Sequence, residues 1–193
     1  MARAQKVRSL MDRYGYGDAE SILNEWNYVR DWGKDFIYSL ETIHGIKGAT
    51  FTMACMSAAQ HSSIDMLMYY DTRQSFFNGV FDFYTCKPLK GYYAFLWYGM
   101  FYDRKAEIKA ENEPENIYSL CGVDENGKVL AVITHYFDED NAPDQTVSVD
   151  FGREGNYEIY VLDKDKNGEL VSTTKDLCFN MPVHSSILIK EVE

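Results

Sequence analysis

The spacing of apolar residues changes near residue 104, and this change confines the chain to a mixed architecture. Before it, helix-spaced and strand-length apolar blocks alternate. After it come only short strand-length runs, broken by Asn-Gly and Asp-rich turns. A helix repeats every 3.6 residues and a strand every 2, so the two halves are expected to form different kinds of layer.

In the first half, Ala2 to Arg13 carries Val7, Leu10 and Met11 at the spacing of a surface helix, and Tyr14-Gly15-Tyr16-Gly17 ends it. Ser21-Ile22-Leu23 reads as a short buried strand running into Asn24-Glu25-Trp26-Asn27. Arg30 to Leu40 and Gly48 to Gln60 read as helices, the second rich in Ala and Met and suited to close packing on a sheet. Ile64 to Tyr70 is a second apolar strand, ending in Asp71-Thr72-Arg73, and Pro88 suits the first position of a helix over Leu89 to Tyr102. The order helix, strand, helix, strand, helix is one α/β repeat with flanking pieces, assigned to residues 1–104. In residues 105–193, Ile117 to Val123 and Val129 to Phe137 flank Asn126-Gly127, a strong hairpin signal because both residues tolerate positive φ. Thr146 to Phe151, Tyr157 to Leu162, Leu170 to Thr174 and Ile187 to Val192 follow, with a second such turn at Asn167-Gly168. About six to eight short strands in this stretch predict an antiparallel β-sandwich.

Charge narrows the partners. The 30 acidic against 19 basic side chains give a formal net charge of −11, which repels phosphate backbones and anionic lipid surfaces, so neither nucleic acid nor membrane is expected as a partner. No stretch reaches the roughly 20 apolar residues of a membrane helix. Four scattered cysteines without C-x-x-C, and a start that lacks a signal-like apolar run, predict a cytoplasmic chain with reduced thiols. His44, His61, His135 and His184 lack metal-ligand spacing and there is no Gly-rich phosphate loop, so neither metal nor cofactor is expected. Asp163 to Gly168 begins like a calcium loop, but Thr174 stands where the bidentate Glu is needed, and a hairpin turn is the better reading. The acidic run Asp138-Glu139-Asp140-Asn141, with Asp144, reads as a solvated loop ahead of a weak calcium site.

The residues most suggestive of chemistry lie where the two strands end. Glu25 sits among Asn24, Trp26 and Asn27: a carboxylate, an aromatic face and two amides, the groups a sugar ring needs. Its alternative role is to cap the following helix, where a carboxylate is favourable in its own right. At the next strand end, Tyr70, Asp71 and Arg73 offer either hydroxyl-binding groups or an ion pair that holds the loop. Trp97-Tyr98 reads as core.

These blocks, Ile22 to Asn27, Met68 to Arg73, Phe77 to Asp82, Lys87-Pro88 and Lys90 to Phe95, followed by a sandwich, resemble the C-terminal part of clan-A glycoside hydrolases. The resemblance is to the family 39 β-xylosidase type and its arabinofuranosidase-like relatives. It implies about the last two βα units of a (β/α)8 barrel with a β-sandwich beside them, Glu25 as the nucleophile of strand seven, and Tyr70 and Asp71 on the rim of strand eight. Asn-Glu is more typical of the strand-four acid/base in that clan, but only one strand-plus-helix unit follows Glu25, which selects strand seven. A full barrel takes about 250 residues, so about six strands are missing here. The acid/base carboxyl is missing with them, since Glu20 lies upstream on the same strand segment and Glu41 within the next helix. The implied function is a glycoside hydrolase-like fragment that binds or acts on xylosides or arabinosides, is inactive alone, and either self-associates or is completed by an N-terminal chain. The alternative is a non-catalytic carbohydrate-binding or structural sandwich, with Tyr118, Tyr136, Tyr157 and Tyr160 as candidate sugar contacts.

Overall fold

The structure is a computed structural model and describes residues 2–192. Helix α1 (Ala2–Arg13) leads into strand β1 (Ile22–Trp26), followed by helices α2 (Phe36–His44) and α3 (Ile46–Gln60), strand β2 (Met66–Tyr69) and helix α4 (Lys90–Gly99). Eight strands follow: β3 (Ala106–Glu107), β4 (Ile117–Val123), β5 (Val129–His135), β6 (Gln145–Ser148), β7 (Asn156–Leu162), β8 (Asn167–Thr174), β9 (Cys178–Met181) and β10 (Ser185–Val192). Strands β1 and β2 pair in parallel. The rest form an antiparallel sheet of order β3-β4-β5-β10-β7-β8 and a small β6-β9 sheet. The chain is thus α/β followed by antiparallel β, as the change of period requires. Among the described residues no helix is long and apolar enough to cross a membrane.

Period-2 alternation divides the large sheet into two faces. Ala131 and Ile133 of β5, Tyr157 and Ile159 of β7, and Ile187 and Ile189 of β10 meet Val147 and Met181 of the small sheet in one apolar core. The intervening Leu130, Val132, Leu162 and Leu188 meet Ala49, Met53 and Met56 of α3 and Ala94 and Trp97 of α4 in a second. With both faces covered, every residue of β5 is buried. Helix α3 is buried along much of its length, as a helix between two layers must be. Its small residues serve this: a Cβ on Gly48 would meet the backbone of Ile43 in α2.

Two turns connect β4 to β5 and β7 to β8: Asn126-Gly127 lies in the first, with Gly127 at φ +75°, whereas Asn167-Gly168, expected as the second turn, opens strand β8 with Gly168 at φ +81° and leaves residues 163–166 to form that turn. Asp124 Oδ1 accepts the N–H groups of Asn126 and Lys128 in the first. In the second, Asp163 Oδ1 accepts those of Asp165 and Lys166, and the Lys90 ammonium bonds the carbonyls of Asp163 and Lys166, so the calcium-like loop is a hairpin turn held by a lysine.

Several local expectations change; among them, α4 begins at Lys90 with Leu89 at its N-cap, so Pro88 stands ahead of the helix and not at its first position. The helix expected over Arg30 to Leu40 begins only at Phe36, because Asp31 Oδ1 accepts the Gly33 N–H and sets a turn ahead of it. Ile22 and Leu23, expected to be buried, are 46% and 43% exposed, since β1 and β2 pair only with each other and leave both sheet edges and one face open. Strands β3 and β9 add to the expected set; Cys178-Phe179-Asn180-Met181 is too short to show a period.

Candidate active site

The candidate site lies at the C-terminal ends of β1 and β2, and a β-bulge shapes it. Leu23 pairs with Leu67 and Trp26 with Tyr69, so three steps along β1 match two along β2. Asn24 and Glu25 occupy the irregularity and are both exposed. Bulges of this kind re-aim side chains beside functional sites. Glu25 makes no hydrogen bond or ion pair among the described residues. Nor does it cap the next helix, whose N-cap position is Asp35, ten residues on.

Trp26 departs from expectation. Its ring packs edge to face on Tyr69, with centroids 5.2 Å apart, and lies 6.2 Å from Phe51 of α3. Its indole nitrogen is buried without a partner. The indole fills the space between sheet and helix and does not supply the sugar-stacking surface expected at the strand end. Asn27 is committed in another way: Nδ2 donates to the Tyr70 carbonyl at 2.5 Å, tying the two strand ends together. Tyr70 N–H donates in turn to the Trp26 carbonyl at 3.0 Å.

Beyond β2 the chain forms a polar rim. Asp71 and Arg73 pair, Nε to Oδ2 at 2.8 Å, and Asp71 Oδ1 also accepts the Arg73 N–H. This holds the Asp71 carboxylate while leaving the Arg73 side chain 68% exposed. Asn78, unassigned in the sequence reading, is buried at the loop's hub: Nδ2 reaches the Tyr70 carbonyl at 3.4 Å, Oδ1 accepts from Ser75 Oγ at 3.0 Å, and its carbonyl accepts the Asp71 N–H. Gly79 follows because a Cβ there would strike the Ser75 amide. Structure therefore joins Asn27, Tyr70, Asp71 and Arg73 in one bonded rim, places Glu25 and Asn24 exposed at the end of the adjacent strand, and turns Trp26 away.

A second polar cluster fastens the loop after β1 to the sandwich. Lys47, 6% exposed, donates to Tyr38 Oη at 2.7 Å and Asp140 Oδ1 at 2.9 Å, and lies 3.4 Å from Asp138 Oδ1. Tyr28 Oη donates to Asp138 Oδ1 at 2.8 Å and Tyr136 Oη to the same atom at 3.3 Å. Burial works against the Lys47 charge, but its bonds to Tyr38 and Asp140 and the nearby Asp138 outweigh it and hold the ammonium above its usual range. Partial burial likewise opposes the Asp138 charge, and the Tyr28 bond with Lys47 overrides it and lowers its pKa. The Lys47 bond lowers that of Asp140. The acidic run expected to be a solvated loop is thus the counter-charge for a buried lysine. Its sequence signal is a lysine directly before Gly48 at the start of an otherwise apolar helix.

Neither a family model nor a curated protein matches the chain by sequence. Solved structures do match. A glucosidase from Croceicoccus marinus superimposes with a TM-score of 0.73 over 98% of this chain at 17% identity. The chain has a glycoside hydrolase-like fold. A family 44 xyloglucanase from Paenibacillus polymyxa gives 0.65 over 98% at 11% identity, and a family 30 endoxylanase from Clostridium papyrosolvens gives 0.60 over 95% at 13% identity. The chain spans 49%, 35% and 45% of the lengths of these three proteins, respectively. At such identities the likeness is one of fold.

Proposed function

We propose that residues 1–104 form the last two βα units of a glycoside hydrolase barrel of the family 39 kind, that residues 105–193 form its accompanying sandwich, and that the strand ends bind a xylose- or arabinose-containing glycan. The observation that carries this reading is the exposed, unpaired Glu25 in a bulge at the end of a parallel strand, with the Tyr70-Asp71-Arg73 rim bonded beside it through Asn27. The glycan-degrading enzymes that share the fold support it. In this reading Glu25 is the nucleophile, Asn24 binds hydroxyl groups next to it, and Tyr70, Asp71 and Arg73 contact the sugar from the rim. Retaining hydrolysis needs a second carboxyl about 5–5.5 Å away to protonate the leaving oxygen. That group belongs to strands that the free edges of β1 and β2 are built to pair with, so this chain binds sugar without turning it over.

Two measurements test the reading. The chain binds xylo- or arabino-oligosaccharides in a titration and releases no product from aryl β-xylosides or arabinosides. Turnover abolished by Glu25→Gln would show that both carboxyls are present here, and absence of any glycan binding would remove the site altogether. The alternative, a sandwich acting alone on sugar, has no observation in its favour. Tyr157 is 1% exposed in the inter-sheet core, Tyr160 packs under the helices, Tyr136 lies against Phe51 and Asp138, and Tyr118 is half-buried, so the four tyrosines make no exposed row.

A further inference from the structure

With Trp26 turned inward, the strand ends lack the flat aromatic surface that a pyranose ring stacks on, and the structure supplies one from the loop that follows β1. Trp32 stands at the tip of the turn between β1 and α2, 67% exposed. It is held in place. The Asp31 carboxylate accepts the Gly33 N–H at 3.0 Å on one side of it, and its ring lies against Phe77, 5.2 Å between centroids and inclined by 35°, and against Phe36 at 6.5 Å and 31°. Phe36 and Phe77 are themselves stacked at 5.6 Å and 9° and are half-buried. Two rings from α2 and the β2–α4 loop thus back a third ring that remains largely in solvent.

The platform adjoins the rim. Phe77 precedes Asn78, whose side chain bonds the same Tyr70 carbonyl that accepts from Asn27. Arg30, two residues before Trp32, lies 3.6 Å from Asp35, and the rim carries the exposed Arg73 paired with Asp71, groups suited to hydroxyls. The negative face of an indole attracts the weakly positive C–H groups on the flat side of a pyranose, and it does so without charge. A net charge of −11 disfavours an acidic sugar. We propose that Trp32, backed by Phe77 and Phe36, is the stacking subsite for a neutral pyranosyl unit of the bound glycan. This rests on the sugar-site reading above and names the residue that supplies its aromatic surface.

Tryptophan fluorescence of the whole chain tests it, because Trp97 is buried and Trp26 packed, which leaves Trp32 as the solvent-facing indole. Titration with xylohexaose, cellohexaose or a xyloglucan oligosaccharide shifts the emission to the blue and protects it from acrylamide; trigalacturonate does neither. Trp32→Ala raises the dissociation constant about tenfold or more and Trp32→Tyr by no more than about threefold, since a smaller ring still stacks. Both variants keep the circular dichroism of the parent, the residue being largely in solvent. Binding that Trp32→Ala leaves unchanged while Glu25→Gln or Asp71→Asn weakens it overturns the platform and leaves the rim standing. Binding that depends on Trp32 alone sustains the platform and removes the rim. Absence of binding to every one of these oligosaccharides overturns both.

Discussion

Leu188→Ala is the substitution that most directly measures how the helices and the sandwich depend on each other. Leu188 is 1% exposed at the middle of β10, with Val132 and Tyr160 as its cross-strand neighbours, and its side chain faces α3 and α4. Removing a fully buried leucine side chain costs about 2.7–5 kcal/mol, the upper end applying where neighbours cannot collapse into the gap. Strands on either side and helices above hold this site open, which places the loss near 4 kcal/mol. For a chain of this size each kcal/mol lowers the melting temperature by about 2–4 °C, so a fall of about 8–16 °C is expected. Urea and thermal unfolding should be followed in parallel by far-ultraviolet circular dichroism and by tryptophan fluorescence, which contains the signal of Trp97 on the helix side of the same core. Both probes should shift together. A loss under about 1 kcal/mol, or a fluorescence transition that moves while the dichroism stays, would show that the helices rest on the sandwich without sharing its core, and the reasoning would fail.

Other outcomes follow from charge and from the open sheet. Asp138 and Asp140 have lowered folded-state pKa values, so their contribution is complete above the unfolded value of about 4 and disappears as pH falls below it. Wild type should therefore lose more of its urea midpoint between pH 7 and pH 3.5 than Lys47→Met does; equal losses would mean the cluster contributes nothing. Tyr28 and Tyr136 titrate above the ordinary phenol range, first through burial and then through Asp138, so stability also falls as pH rises past about 10, which a urea midpoint series in alkaline buffer will record. Ile22, Met66 and Met68 are each more than 40% exposed on a parallel strand pair with two free edges, a template for pairing. Light scattering should find self-association at micromolar concentrations that Met68→Glu reduces, and a monomer at all concentrations would contradict this.

Much of the architecture was legible because it rests on local signals. The strand period, the Asn126-Gly127 turn and the small-residue helix each express a constraint that neighbouring residues carry. The departures come from distant partners. Ile22 and Leu23 are apolar enough to be buried, but burial requires adjacent strands, which no local pattern reports. The bulge at Asn24 and Glu25 arises from the register with β2, some 40 residues away, and it decides that Trp26 packs on Tyr69 while Glu25 faces out. The role of Asp138 and Asp140 is set by Lys47, about 90 residues upstream. At the site, Glu25 and the Asp71–Arg73 pair were readable from their place at strand ends. Trp32 was not, because it lay in a stretch read as helix, where an aromatic residue reads as core.

Amide chemical-shift mapping with a neutral xylo-oligosaccharide locates directly where sugar meets this surface. Shifts confined to residues 24–32 and 70–79, weakened by Glu25→Gln, are the predicted result. Shifts on β6 and β9 or elsewhere on the sandwich, with residues 24–32 unmoved, would contradict it.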